Sequence, residues 1–164
     1  MSTKSHYLEI ERRFLVPDAD FLTHLSGQEI CQGYLSEDQD RLVRVRSTES
    51  EATLTIKART ESIRKRIELE YPIPIEDAKR LLEMVGEKHQ IFKTRYEIDF
   101  AGHRWEVDLF SGENAGLVIA EIELDSEQES FEHPPWIGEE ITSDPKYLNI
   151  NLVRHPYQQW KTKR

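Results

Sequence analysis

Glu9, Glu11 and Arg13 are spaced two residues apart in the stretch Leu8-Glu9-Ile10-Glu11-Arg12-Arg13-Phe14-Leu15. A period of two puts them on one face of a β-strand, with Leu8, Ile10 and Phe14 on the other face, interrupted by Arg12. Two carboxylates about 7 Å apart on one face repel each other. A divalent cation would hold them together; a solvated sheet edge would leave them in water. This stretch alone leaves both readings open.

The same habit recurs along the chain. In-phase, same-sign pairs appear at Arg44/Arg46, Glu68/Glu70, Lys93/Arg95, Glu106/Asp108 and Glu121/Glu123, and Lys57 and Arg66 add single cations. The opposite faces are mostly apolar, as in Val43/Val45, Leu54/Ile56, Ile67/Leu69/Tyr71, Trp105/Val107/Leu109 and Val118/Ala120/Ile122/Leu124. Arginine makes bidentate contacts to phosphate oxygens. Carboxylates hold hard cations, which also bridge phosphate oxygens. A polyphosphate with Mg²⁺ or Mn²⁺ would satisfy both signs of charge at once.

The elements that must position these groups are about eight antiparallel strands. After Leu8–Leu15, a short helix begins at Pro17-Asp18-Ala19-Asp20, with Asp18 or Asp20 as cap, and ends at Ser26-Gly27. Strands follow over 28–35, 41–46, 52–57 and 64–71, with Ser36–Asp40 and Ala58–Ser62 as polar connections. Pro72 and Pro74 end the last of these. The periodicity of 75–86 predicts an amphipathic helix with Ala78, Leu81, Leu82 and Val85 on its apolar stripe and Gly86 at its C-terminal cap. Strands over 91–100, 104–110 and 117–124 complete the set. Asp144-Pro145 starts a short helix packed on the sheet through Tyr147, Leu148 and Leu152, and the basic stretch Gln158–Arg164 is expected to fray. Two folds carry this pattern. One is an α+β fold, an eight-stranded antiparallel β-barrel with a charged lumen and helices packed outside. The other is an open sheet covered on one face, with interstrand Arg–Glu pairs worth only about 0.2–1 kcal/mol each on the other.

Composition narrows the function classes. The 164 residues suit a single domain, 1–164. Charged residues make up 32% and the net charge is −9, which argues against a general nucleic-acid coat. The single cysteine, Cys31, excludes an internal disulfide and disfavours a thiolate metal site. Met1-Ser2-Thr3-Lys4-Ser5 does not read as a signal peptide and no stretch reads as a membrane span, so a soluble cytoplasmic protein is the expectation.

The ordered set Glu9-Ile10-Glu11 with a basic residue two positions on, Gln32-Gly33-Tyr34-Leu35, Arg44-Val45-Arg46, Thr55-Ile56-Lys57, Arg66-Ile67-Glu68-Leu69-Glu70, Lys93-Thr94-Arg95, Trp105-Glu106-Val107-Asp108 and Ala120-Glu121-Ile122-Glu123-Leu124 resembles the CYTH family, the triphosphate tunnel metalloenzymes. The closing Trp136–Thr142, Asp144 and Tyr147-Leu148-Asn149 are similar to short bacterial members. The resemblance implies a tunnel that hydrolyses or cyclises triphosphates with Mg²⁺ or Mn²⁺. It implies metal ligands at Glu9, Glu11, Glu121 and Glu123, with Asp108 an additional one, and phosphate contacts from Arg44, Arg46, Lys57, Arg66, Lys93 and Arg95. Glu68 and Glu70 stand between the metal side and structural pairing, and Glu106 could orient a nearby arginine. The family signature has a lysine where this chain has Arg13. In some members that lysine, beside a tyrosine equivalent to Tyr34, is thought to help activate water. Arginine stays protonated and offers charge for phosphate instead. Arg13, Tyr34 and Lys57 are the candidate catalytic groups, with a metal-bound water, a carboxylate or a desolvated Lys57 as the base. The resemblance points first to hydrolysis of inorganic tripolyphosphate. Class IV adenylate cyclase, thiamine triphosphatase and a polyphosphate-binding module are the alternatives. The partner is a small-molecule triphosphate, with no nucleic acid or membrane expected and a homodimer left open.

Overall fold

The computed structural model describes residues 8–38 and 40–160. The readings made for residues 1–5 and 161–164 lie outside them. Eight strands, β1 (Leu8–Leu15), β2 (Gln28–Asp38), β3 (Arg41–Ser47), β4 (Ala52–Arg59), β5 (Lys65–Pro72), β6 (Gln90–Phe100), β7 (His103–Phe110) and β8 (Val118–Glu123), close into an antiparallel barrel. The order around it is β1-β5-β4-β3-β2-β6-β7-β8. β1 closes the ring, pairing through Leu8–Ile10 with β5 and through Glu11–Leu15 with β8.

Several strands run longer than their patterns suggest. β2 continues through Ser36–Asp38 because a register shift between Tyr34 and Ser36 lets the polar stretch stay paired with β3. β4 takes in Ala58 and Arg59, which pair with Ile67 and Arg66. The β6–β7 turn has Ala101 at φ 48° and Gly102 at φ 81°, the two positive φ values that a type I′ hairpin turn requires.

Three apolar clusters hold the barrel. Outside β2–β4, the helix α1 (Ile75–Val85) packs Ala78 and Leu82 against Val45 and Ala52. Gly33 permits this approach: a Cβ there would lie 3.1 Å from Val85 Cγ1 and 3.2 Å from Leu82 Cδ2. Outside β1, β7 and β8, Phe14, Trp105, Val107 and Ile122 are covered by Leu22 in a 3-10 turn at Asp20–His24 and by Phe131, Trp136 and Ile137. That turn is not the capped helix expected there; Asp18 accepts from the Asp20 N–H in a tight local turn instead.

The third cluster lies inside the ring. Leu15, Leu42, Ile91, Phe110 and Ile119 are in phase with the charged positions of their strands, and all stand at one end of the barrel. The helix α2 (Asn149–Arg154) and Tyr147 pack on them, with Ile150 and Leu152 buried. The expectation of helices outside thus holds for α1, whereas the C-terminal helix closes an end of the lumen. Asp144 does cap as expected, accepting from the Lys146 N–H with Pro145 next, but the element it opens is a 3-10 turn. The short helix α3 (Tyr157–Trp160) follows, and Trp160 meets Tyr147 edge-on with ring centroids 5.2 Å apart. Among the described residues no helix is long and apolar enough to cross a membrane.

Candidate active site

Pairing across the barrel brings the in-phase charges into rings. Glu9 is opposite Arg66, Glu11 opposite Glu123, and Arg13 opposite Glu121. Tyr34 pairs with Arg44, Arg44 with Thr55, and Thr55 with Glu70. They line a cavity of about 530 Å³ whose wall includes Glu9, Glu11, Arg13, Tyr34, Arg44, Arg46, Lys57, Arg66, Lys93, Arg95, Glu121 and Glu123. Every site residue expected from the sequence is on this wall except Asp108, which is 1% exposed behind it.

The carboxylate side centres on Glu9 and Glu11. Glu9 Oε2 lies 3.2 Å from Lys57 Nζ, and that ammonium also reaches Glu68 at 3.5 Å. Burial works against charge on Glu9, yet Lys57 and a hydrogen bond with Glu11 outweigh it and hold Glu9 below its usual value. Burial and the adjacent Glu9 push the Glu11 carboxyl up to about 7. Glu9 Oε2 is buried and accepts no aligned hydrogen bond. These are hard oxygen donors, one of them without an aligned hydrogen bond, and they fit a hard divalent cation. Among the described residues no three acidic, histidine or cysteine side chains form a closed cage. Mg²⁺ characteristically takes one or two carboxylates and completes its shell with water and substrate phosphates.

The cationic side is built on Asp108. Its carboxylate accepts from Lys93 Nζ at 2.7 Å and from Arg95 Nε and Nη2 at 2.7 and 2.9 Å. Burial opposes its charge, but these two cations hold Asp108 far below the usual carboxylate range. Burial, with Arg95 and Arg46 nearby, pushes Lys93 down against the pull of Asp108. Within the pair the ionised Asp108 is the secure partner, since it takes three charge-assisted hydrogen bonds. Arg95 also pairs with Glu106, the orienting contact anticipated for that residue. Burial, then Arg44 and Arg95, push Arg46 down to about 10, the mark of crowded positive charge. Arg44 and Arg13 each keep a buried Nε without a partner. Glu70 accepts from Thr55 Oγ1 at 3.1 Å and lies 3.9 Å from Arg44.

Burial raises the Tyr34 hydroxyl above its ordinary value, so it is a neutral phenol, 3.4 Å from Gln32 Nε2. Arg12 points away from the lumen, to Glu140 at 2.7 and 2.6 Å and over the Phe131 ring at 5.0 Å. Two polar groups of the site carry no charge and so escaped the charge pattern. Gln32 is fully buried and accepts from Arg46 Nε at 3.0 Å. Asn149 Oδ1 accepts from Gln32 Nε2 and Lys93 Nζ, both at 3.1 Å. Gln32 could have been found from its phase with Tyr34; Asn149 lies outside any strand and had no periodicity to reveal it.

A closed antiparallel barrel with cations and carboxylates facing one lumen defines the tunnel class of phosphate-handling proteins. The CYTH domain model matches residues 7–157, and the chain belongs to the CYTH domain family. It is 47% identical over 153 residues to an inorganic triphosphatase of Acetivibrio thermocellus, covering 93% of this chain and 97% of that protein. It is 35% identical to an inorganic triphosphatase of Nitrosomonas europaea, covering 88% and 96% of the two chains. A crystal structure of an inorganic triphosphatase superposes with a TM-score of 0.61 at 32% identity, covering 93% of this chain and 95% of that one.

Proposed function

We propose that the protein hydrolyses inorganic tripolyphosphate to pyrophosphate and phosphate with the help of Mg²⁺ or Mn²⁺. The observation that carries this reading is the single lumen in which Arg44, Arg46, Arg66, Lys93 and Arg95 converge beside the Glu9–Glu11 pair. Relatives at 47% and 35% identity named as inorganic triphosphatases support the choice of substrate over a cyclase or thiamine triphosphatase reaction.

In this reading Arg44, Arg46 and Arg66 take the non-bridging oxygens of the chain, and Lys93 and Arg95, oriented by Asp108 and Glu106, complete the cradle. Glu9 and Glu11 would hold the divalent ion, and Glu121 and Glu123 on the neighbouring strand would face it from β8. Asp108 serves the cations and not the ion. When bound there, Mg²⁺ or Mn²⁺ would supply positive charge that neutralises the polyphosphate. Water attacks the terminal phosphorus in line, and the cations stabilise the charge that develops on the leaving pyrophosphate. Arg13 contributes positive charge and not proton transfer, and Tyr34 contributes a neutral hydroxyl beside the phosphates. Lys57 is paired with Glu9 and Glu68, which suits it to positioning the metal-side carboxylates.

The test is phosphate release from tripolyphosphate, ATP and thiamine triphosphate with Mg²⁺ or Mn²⁺, with cyclic AMP followed in parallel. Release from tripolyphosphate in clear excess over the others is expected. Cyclic AMP from ATP, or tight tripolyphosphate binding without turnover, would overturn the assignment.

A further inference from the structure

Arg13 stands where the family signature has lysine, and its guanidinium makes a contact that leads out of the lumen. Nη2 donates to the Tyr147 carbonyl oxygen at 2.7 Å in a buried bond. Nε of the same group lies 3.6 Å from Glu121 Oε1 and has no hydrogen-bond partner. The residues that follow Tyr147, Leu148-Asn149-Ile150, are the part of the lumen wall supplied by the C-terminal segment. Asn149 is tied from another side, by the Lys93 and Gln32 donors to its Oδ1 at 3.1 Å. Gln32 in turn accepts from Arg46. Three lumen cations therefore reach the closing segment, two directly and one through a single side chain.

Donor counting shows that these ties and an anion do not compete. A guanidinium carries five N–H groups and an ammonium three. Arg13 gives one to Tyr147. Lys93 gives one to Asp108 and one to Asn149. Both retain donors for an anion. Asn149 uses its oxygen for the tie, which leaves its amide N–H groups on the cavity wall. An anion bound in the lumen would immobilise the same groups that hold the segment, and the seated segment would hold those groups ready for the anion. Linkage makes the two effects equal in size.

We infer that Arg13 and Asn149 are positioning residues that couple the seating of the C-terminal segment to anion binding in the lumen. The inference rests on the reading of the lumen as a polyphosphate site. A lysine at position 13 would keep the charge but has one nitrogen where the guanidinium has three, so it could not hold Tyr147 while facing Glu121 and an anion in the same way.

The test is amide hydrogen exchange of the full chain, read by mass spectrometry with EDTA present to prevent turnover, with and without inorganic tripolyphosphate. Calorimetry measures tripolyphosphate affinity on the same samples. In the unsubstituted protein, tripolyphosphate should slow exchange in the peptide spanning Leu148–Val153 by about fivefold or more. Arg13→Lys and Asn149→Ala should each exchange faster in that peptide without anion and lose most of the slowing with it, while β7 and β8 peptides stay unchanged. Asn149→Ala leaves the lumen charge intact, so it separates the tie from simple electrostatics. Exchange in both variants matching the unsubstituted protein without anion overturns the inference, as does full anion-induced slowing in Asn149→Ala. No binding of tripolyphosphate by the unsubstituted protein in EDTA overturns the coupling; absence of Mg²⁺- or Mn²⁺-dependent hydrolysis as well refutes the polyphosphate reading of the lumen. The anion-free comparison still reports separately on the tie.

Discussion

Glu11 has a lumen carboxyl whose charge is poised near neutral pH. Burial and Glu9 raise it to about 7. Below that pH a metal must displace a proton, so apparent Mg²⁺ or Mn²⁺ affinity should rise with pH and level off above about 7. Calorimetry from pH 5.5 to 8 checks this, and a flat profile would contradict it. The sign reverses for stability of the metal-free protein. Between the ordinary carboxylate value of 4.5 and about 7, the folded state binds more protons at Glu11 than the unfolded chain does. This group's contribution to stability therefore falls as the pH rises through that window, and Glu11→Gln should remove that component from a thermal unfolding series. Glu9→Gln keeps the shape of the side chain and removes its charge. It should lower metal-dependent tripolyphosphate hydrolysis by about 100-fold or more, on the scale at which removing charge-stabilising groups slows catalysis. Unchanged turnover and metal dependence would remove Glu9 from the metal site.

At the scale of elements, β1 is held by the segment that returns alongside it. Leu15 N–H donates to the Glu139 carbonyl, Ile141 N–H donates to the Arg13 carbonyl, and Arg12 clamps Glu140 outside the barrel. Arg12→Ala should destabilise the fold by about 1–2 kcal/mol, a charge-assisted pair discounted for partial exposure. Hydrolysis measured well below the melting temperature should be nearly unchanged, because the side chain faces away from the lumen. The Arg12 hydrogen bond holds Glu140 below its ordinary 4.5. The contribution of this pair is therefore present above that value and is lost as the pH falls below it. On the other side, Gly33→Val would drive a side chain into Leu82 and Val85 of α1. A loss of about 1–3 kcal/mol is expected from such overpacking, measured by denaturant unfolding; equal midpoints would show that α1 can shift without cost.

For the molecule as a whole, the lumen gathers like charges that folding alone does not neutralise pair by pair. Burial, and then Arg44 and Arg95, lower Arg46; burial, and then Glu9, raise Glu11. An anion that binds the folded lumen should stabilise the protein by mass action. Tripolyphosphate at 100 times its dissociation constant, with EDTA present, should add about 2.7 kcal/mol. Differential scanning fluorimetry reads this as a rise in melting temperature, and no rise under those conditions would argue against the lumen as the anion site.

The alternating patterns by themselves determined the strands, their faces and nearly all of the charged wall. Side-chain direction in a strand follows from sequence parity alone, so Glu9/Glu11, Arg44/Arg46 and Lys93/Arg95 must each share a face whatever the topology. Parity does not say which strands become neighbours or whether the sheet closes. Only the tertiary structure decided that Glu11 stands opposite Glu123, and that Asp108 serves Lys93 and Arg95 from behind the wall. It also decided the closed end. Leu15, Leu42, Ile91, Phe110 and Ile119 share the phase of the charges, and nothing local separates them from it. They become a core because strand pairing brings them to one end of the ring, where α2 covers them. Gln32 and Asn149 entered the site for the same reason: their partners come from elements distant in sequence, and a neutral amide leaves no mark in a pattern of charge.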